Sequence, residues 1–225
     1  ARWHGVTIAD IFDRFLAAQR RRRPLRTPGH TALEALELVA IDSETTGLDV
    51  GSARIVSFAV IRIAKGLDVE PRPKLDLLVD PRIPIPAAAT AIHGIDAGRV
   101  AGAPSIADVW DELTAAMADR VVVGHHVGFD LAMLAAEARR IGRPWHEPAT
   151  LDTAAMAAGL GLPVDRLDLV ELLSRLGVRP RGERHTAAGD ALMAADLFVT
   201  IAQRLRSQGR ATLGGAVGRQ RGPTA

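Results

Sequence analysis

The chain is organised around residues 41–48, which read Ile41-Asp42-Ser43-Glu44-Thr45-Thr46-Gly47-Leu48. An apolar run from Leu36 to Ile41 leads into this stretch and predicts a buried strand. Alternate residues of a strand share one face, so Asp42 and Glu44 are expected side by side. Carboxylates paired in this way bind hard divalent ions such as Mg²⁺. The alternative is a strand that ends in a polar, solvated turn.

The composition is that of an ordinary soluble globular protein. The 225 residues are 48% hydrophobic and 24% charged, which suits one domain with a single large core. The chain contains no cysteine, which excludes disulfides, zinc–thiolate sites and thiol nucleophiles. No apolar run is long enough for a membrane span, and nothing resembles a cleavable signal peptide. We therefore expect no membrane association and a cytoplasmic location.

Positive charge is concentrated at the two ends of the sequence. Residues 1–39 contain seven arginines against four acids, and residues 201–225 contain five arginines and no acid. The middle is therefore acidic, although the net charge of the chain is only +2. An acidic body between basic ends would suit a metal-loaded pocket with phosphate-binding margins, and solvated ends are the alternative.

The hydrophobic pattern predicts a three-stranded antiparallel meander at about 37–42, 54–63 and 75–79. Short buried strands of the parallel type are expected at 121–123 and 150–152. Helices are predicted at about 105–117, 129–141, 152–159, 166–176 and 187–207, with a helical turn at 87–93. Together these elements predict an α/β fold with one five-stranded mixed sheet flanked by helices.

The chain divides into three predicted segments. Residues 1–36 would form an N-terminal helix, beginning near Val6, and a basic linker that includes Arg20–Arg23. Residues 37–207 would form the folded domain. Residues 208–225 are rich in glycine and arginine and are expected to be disordered.

Two downstream motifs can complete the acidic pair. Asp130 falls in the first turn of a helix after a buried strand, where side chains reach the carboxyl edge of a sheet. His185 and Asp190 are five residues apart, so they cannot share one helical face. We place His185 on a loop, Thr186 as a cap and Asp190 in the early helix. Taken singly, Asp130 is an ordinary helix-terminal acid and His185 a surface residue.

Four clustered carboxylates would need cations. Asp42, Glu44, Asp130 and Asp190 would repel one another, and two Mg²⁺ or Mn²⁺ ions would neutralise them. Two such ions stabilise both the attacking and the leaving oxygen when a phosphodiester is cleaved. A histidine on a loop, such as His185, suits the role of general base. The set therefore predicts hydrolysis of phosphodiester bonds.

The order Asp-x-Glu, Phe-Asp and His-x₄-Asp resembles the DnaQ-like (DEDDh) 3′–5′ exonuclease family, which includes the epsilon proofreading subunits of bacterial DNA polymerase III. The likeness rests on residues 42–48, 124–130 and 185–190, with 92–95 and 151–153 as connecting landmarks. It spans about residues 37–205 and implies a ribonuclease H-like fold.

The resemblance also implies roles for the acidic residues and the histidine. Asp42, Glu44 and Asp190 would hold the first metal ion. Asp42 would bridge to the second ion, and Asp130 would act largely through water. His185 would be the general base.

A second group of residues would bind the substrate. The resemblance implies that the backbone and side chains from Thr45 to Leu48 hold the terminal nucleotide, with Leu48 as an apolar wedge against its base. His93 would lie near the terminal phosphate or sugar. His126 and Phe129 complete this substrate-binding set.

Two positions depart from the family pattern. His126 stands where the family often has asparagine, so an amide contact must be replaced or lost. Ala88 stands where epsilon subunits often carry glutamate, so a contact to the 3′ end is missing. Both departures bear on substrate preference rather than on the chemistry.

The expected activity is release of nucleoside 5′-monophosphates from single-stranded or frayed 3′ ends, with DNA favoured over RNA. One alternative is an RNA 3′-end exonuclease of the oligoribonuclease type. Another is a non-catalytic module, on an inactive nuclease fold, that binds nucleic acid or a polymerase. A DNA polymerase is a further candidate partner. Aromatic residues make up only 4%, which indicates a grip on a few terminal nucleotides.

Overall fold

The computed structural model describes residues 29–162 and 168–217, together with Arg2–Trp3 and Val6–Thr7. The two short segments pair as an antiparallel hairpin in which Arg2 lies opposite Thr7. The helix predicted from Val6 onward is therefore wrong at Val6 and Thr7, which are β-branched and adopt an extended conformation. The remainder of that helix and the linker at Arg20–Arg23 lie outside the described residues.

A six-stranded mixed sheet forms the centre of the domain. Its strands are β1 (Leu38–Thr45), β2 (Ile55–Ala64), β3 (Asp68–Val69), β4 (Leu75–Leu78), β5 (Val121–Gly124) and β6 (Thr150–Asp152). The strand order is β3-β2-β1-β5-β6, and β4 pairs with β2 beyond the end of β3. Pairing is antiparallel among β1 to β4 and parallel for β1–β5 and β5–β6. The predicted mixed sheet is confirmed, with the two-residue strand β3 as an addition.

Seven α-helices belong to the described part of the chain. They are α1 (Ala87–His93), α2 (Ile106–Met117), α3 (Gly128–Arg140), α4 (Thr153–Gly159), α5 (Leu169–Arg175), α6 (Ala187–Ser207) and α7 (Leu213–Val217). Side-chain caps fix several starts, among them Ser105, which forms a reciprocal capping box with Asp108. Within the described residues, no helix has the length and apolar character needed to cross a membrane.

The two faces of β1 belong to two different hydrophobic cores. Leu38 and Ala40 pack with α4, α5 and α6 on one face. Val39 and Ile41 pack with α2 and α3 on the other face. Burial on both faces explains the continuous apolar run. The run ends at Ile41, and the next three residues, Asp42 to Glu44, are only half-buried. The carboxyl end of β1 is thus the point where polar side chains become possible.

The C-terminal segment corrects one prediction. Residues 208–217 were expected to be disordered, but Leu213 begins α7 and is fully buried. Backbone hydrogen bonds join this segment to the start of the domain, from Leu213 N to Thr31 O (2.9 Å) and from Leu33 N to Ala211 O (3.0 Å). Burial of Leu213 and Ala216 outweighs the glycine-rich composition. Residues 218–225 lie outside the described part.

Candidate active site

The first two acids lie at the carboxyl end of β1. Asp42 pairs with Ala59 of β2 and Glu44 with Ser57, so both side chains project from the same face of the sheet. This is the face covered by α6, since Leu38 and Ala40 share it. The alternation predicted from the sequence therefore directs both carboxylates toward α6.

A β-bulge follows Glu44 directly. Glu44 pairs with Ser57, but the next residue, Thr45, pairs with Ile55, so Val56 is left without an opposite partner. A bulge bends a strand and increases its twist, which redirects the chain that follows. Nothing in the hydrophobic pattern predicts this irregularity. The bulge lies directly before residues 45–48, the stretch predicted to hold the terminal nucleotide.

The third acid, Asp190, lies in the first turn of α6. Thr186 caps this helix by accepting a hydrogen bond from Gly189 N (3.1 Å), as predicted. A Cβ atom on Gly189 would lie 1.9 Å from the carbonyl oxygen of Glu183. Glycine is therefore required for the preceding loop to fold onto the first turn of α6.

Asp42, Glu44 and Asp190 form a compact cluster. Each offers one carboxylate oxygen, and these oxygens all lie within 4.8 Å of one another. Asp190 Oδ1 is buried and has no hydrogen-bond partner among the described residues. Oxygen donors gathered this closely, with one of them unsatisfied, fit a hard divalent ion.

The electrostatics of the cluster show mutual repulsion. Burial, followed by the charges of Asp130, Glu44 and Asp190, raises the pKa of Asp42 well above its usual value. Burial and then Asp190 and Asp130 raise the pKa of Glu44 to about 8. Burial also raises the pKa of Asp190. A cation between these groups would remove this cost of ionisation.

Asp130 reaches the site from the opposite layer. It lies in the first turn of α3. Gly124, at the end of β5, lets the start of this helix pack closely, because a Cβ atom on Gly124 would lie 2.7 Å from the Val127 side chain. Ser43 Oγ donates a hydrogen bond of 2.6 Å to Asp130 Oδ1. Burial raises the pKa of Asp130 to about 7, although the Ser43 hydrogen bond opposes this. Asp130 lies outside the compact cluster, beside it.

His185 lies in the turn that precedes α6 and is exposed. Its backbone is in the left-handed region, with φ of 59°. The His185 charge and a hydrogen bond from its backbone lower the pKa of Asp190, against the larger effect of burial. The histidine is therefore next to the acidic cluster with its ring accessible to solvent.

His93 is buried against the backbone of the stretch that follows Glu44. Its Nδ1 accepts a hydrogen bond from Ile95 N (3.0 Å), which leaves Nε2 to donate to the carbonyl oxygen of Thr45 (3.2 Å). Burial lowers the pKa of His93, which favours this neutral form. Both ring nitrogens are thus engaged by the backbone, and the geometry gives His93 a part in shaping the stretch 45–48.

The other predicted substrate-binding residues differ in their exposure to solvent. Thr45 is buried and donates to the carbonyl oxygen of Gly47 (2.7 Å), which tightens the turn. Leu48 has 38% of its surface exposed. Phe129 is half-buried against the core on the side of α3.

His126 occupies a position of strained backbone beside Asp152. It adopts φ of 57°, and its ring lies 4.5 Å from that of His125, measured between centroids. Burial raises the pKa of Asp152, and the positive charge of His126 opposes this. Asp152 also caps α4 by accepting from Ala154 N (2.9 Å). His126 thus lies next to a buried acid, where the family often has asparagine.

The sequence did not predict the polar contacts from α3 that support the loop at residues 46–54. Glu137, fully buried on α3, accepts two hydrogen bonds from Arg54 Nε (2.8 and 3.0 Å) and one from Ile55 N (3.2 Å). Arg140 lies 3.4 Å from the same carboxylate and donates to the carbonyl oxygens of Val50 and Gly51. The sequence offered one signal for this role: Glu137 follows Asp130 by about two helical turns, which places the two acids on the same side of α3.

The fold and the site together define an exonuclease. Residues 39–198 match the family described as Exonuclease (RNase_T), and the chain belongs to this family. The matched region runs from β1 into α6 and contains all four acids and His185. The prediction of a DEDDh-type 3′–5′ exonuclease of the DnaQ-like group is confirmed at this level.

Two curated relatives carry polymerase names. The DNA polymerase III subunit epsilon-like protein of Rhodobacter capsulatus is 38% identical over 186 residues, or 82% of this chain. The chain spans about a quarter of that relative, since the match covers 26% of it. The DNA polymerase III subunit epsilon of Aquifex aeolicus is 29% identical over 168 residues, which are 74% of this chain and 81% of that protein.

A solved structure, Exonuclease X in complex with 5′ overhanging duplex DNA, has a similar fold. It matches with a TM-score of 0.61 and 26% identity, covering 81% of this chain and 99% of that one. Likeness to exonuclease structures confirms the predicted ribonuclease H-like fold.

Proposed function

We propose that this chain is a metal-dependent 3′–5′ exonuclease that releases nucleoside 5′-monophosphates from single-stranded or frayed 3′ ends of DNA. Membership of the exonuclease family supports the reaction class. The observation that carries the metal dependence is the convergence of Asp42, Glu44 and Asp190 within 4.8 Å. Three acids with raised pKa values at one point are costly for a folded protein unless cations bind there.

The acids would divide between two Mg²⁺ or Mn²⁺ ions. Asp42, Glu44 and Asp190 would hold the first, and Asp42 would share the second with Asp130, which acts largely through water. When bound, the ions would neutralise the acids and stabilise the charge that develops on the phosphodiester oxygens. Ser43 supports this division because its hydrogen bond fixes one oxygen of Asp130.

His185 would act as the general base. Its ring is exposed in a turn next to Asp190, so it can approach a water molecule at the site and afterwards release the proton to solvent. The capped start of α6 holds the backbone on both sides of this residue. The chain thus places a titratable group beside the acids without burying it.

Residues 45–48 would hold the terminal nucleotide. This stretch follows the bulge directly, and His93 forms a hydrogen bond with its first carbonyl group, that of Thr45. Leu48 is exposed on it and suits an apolar wedge against the base. His126 and Phe129 would complete the nucleotide site on the α3 side, where an imidazole stands in place of an amide.

DNA is the substrate that we propose, and the names of relatives support it. The relatives are named for DNA polymerase III, and Exonuclease X was solved with DNA. For the same reason we propose a DNA polymerase as a candidate partner and the cytoplasm as the location. The segment 37–207 would be the catalytic domain, now extended by the packing of α7.

The test is release of mononucleotides from a 5′-labelled single-stranded DNA oligomer with Mg²⁺, with Mn²⁺ and with chelator. We expect a ladder that shortens from the 3′ end and needs metal, and no ladder with the Asp42→Asn variant. Much faster hydrolysis of the matched RNA oligomer would assign the chain to RNA instead. Absence of shortening on either oligomer with either metal would leave a binding module as the better account.

A further inference from the structure

Arg184 places a positive charge at the edge of the acidic cluster. Its Nε lies 3.7 Å from Asp190 Oδ1, and its Nη1 lies 3.6 Å from Asp168 Oδ2 at the start of α5. Among the ion pairs of the described residues, the pair of Arg184 with Asp190 is the one that includes an acid of the proposed metal site. Arg184 precedes His185, the proposed general base, directly in the chain.

The contact between Arg184 and Asp190 is incomplete. At 3.7 Å the two groups attract each other but do not form a hydrogen bond. Arg184 Nε is buried, and like Asp190 Oδ1 it has no hydrogen-bond partner in the described part of the chain. An unsatisfied buried donor of a guanidinium group is costly, and it gains most from an anionic acceptor. The guanidinium is thus well placed for a ligand.

Contacts with the first turn of α6 hold the backbone around Arg184, so a ligand would change mainly the position of its side chain. Thr186 Oγ1 donates to the carbonyl oxygen of Glu183 (2.8 Å). Gly182 and Gly189 approach so closely that a Cβ on Gly182 would lie 2.8 Å from Gly189 Cα. These contacts hold the loop that carries Arg184 against the first turn of α6.

We propose that Arg184 binds a phosphate of the nucleic acid, and that Asp190 and Asp168 hold its side chain until metal ions and substrate arrive. This inference rests on the proposed function. Arginine presents a planar fork that matches phosphate oxygens, and the scissile phosphate must lie where the acids converge. The charge of a metal ion on Asp190 would take over the neutralisation that Arg184 now supplies, which leaves the guanidinium to the phosphate.

Metal binding without nucleic acid gives the first test. Arg184→Gln removes a cation that competes with the metal, so calorimetry with Mn²⁺ should show about three- to tenfold tighter binding. The matched control is Arg181→Gln, in the same loop, because Arg181 pairs with Asp196 away from the acids. The control should bind Mn²⁺ as the wild type does. Weaker binding by Arg184→Gln would mean that Arg184 orients Asp190, and it would overturn the proposal.

Steady-state kinetics on single-stranded DNA give the second test. Arg184→Gln should raise KM about tenfold, and Arg184→Lys should restore part of the loss. The slope of log KM against log salt concentration should fall by about 0.7, the contribution of one phosphate contact on a single strand. An unchanged KM and salt slope in Arg184→Gln would show that the side chain does not contact the backbone.

Failure of this inference is separable from failure of the proposed function. If the wild-type chain bound no metal and cut no oligomer, the proposed function would fail. If the wild type is active and Arg184→Gln behaves as Arg181→Gln does in both measurements, only the role of Arg184 is refuted.

Discussion

Replacing Glu44 with glutamine should stabilise the metal-free protein at alkaline pH. Burial and the neighbouring Asp190 and Asp130 raise the pKa of Glu44 from 4.5 to about 8. A rise of that size corresponds to about 5 kcal/mol against folding when the carboxylate is ionised. Glutamine remains a buried polar group, so the expected gain is smaller, about 2–3 kcal/mol.

The pH dependence has a definite sign. The folded state binds the Glu44 proton more tightly than the unfolded state, so wild-type stability falls as the pH rises from 4.5 to about 8. Thermal unfolding in chelator should therefore show Glu44→Gln melting about 5–10 °C higher at pH 8, with little difference at pH 5. Excess Mn²⁺ should reverse this order, because it stabilises the wild type, whose ligand set is complete.

The same substitution at an exposed site provides the control. Glu112 lies exposed on α2, and Glu112→Gln should leave the melting temperature unchanged at both pH values. An unchanged or lower melting temperature of Glu44→Gln at pH 8 in chelator would show that the clustered acids do not oppose folding.

Three further predictions concern the machinery around the acids. His185→Ala should lower kcat about 100-fold or more in the oligomer assay, because the general base is lost. The Mn²⁺ affinity measured by calorimetry should stay unchanged, and a parallel loss of affinity would show that His185 is a metal ligand. Gly189→Ala forces a Cβ toward Glu183 and displaces the His185 loop, so kcat should fall at least about tenfold; an unchanged kcat would show that the loop position is not critical. Glu137→Ala leaves Arg54 without its acidic partner and should lower the free energy of unfolding, measured in urea, by about 2–3 kcal/mol. Glu137→Gln should lower it less, and equal losses in the two variants would contradict a role for the charge of Glu137.

The acids could be predicted because their positions follow from local periodicity. The twofold repeat of a strand places Asp42 and Glu44 on one face, and the helix start at Thr186 places Asp190 in the first turn. Both rules need only a few neighbouring residues. The family resemblance then supplied the pairing of these segments, which periodicity alone does not determine.

The missed features depend on residues distant in the sequence. Glu137 is an ordinary helix acid until Arg54, 83 residues earlier, is brought against it. The bulge after Glu44 is a matter of register between two strands, which hydrophobic patterning does not specify. Arg184 belongs to no motif, and its closeness to Asp190 follows from the glycine contact that folds the loop onto α6.

The acidic cluster has a consequence for the order in which activity arises during synthesis. Asp42 and Glu44 leave the ribosome early, whereas α6, which brings Asp190 and follows His185, emerges close to 150 residues later. A nascent chain can pair its first strands but has no complete ligand set until α6 docks. Partial detachment of α6 would likewise abolish cleavage while the sheet persists. On the proposed function, the chain therefore cannot cleave nucleic acid before α6 is synthesised or after α6 detaches.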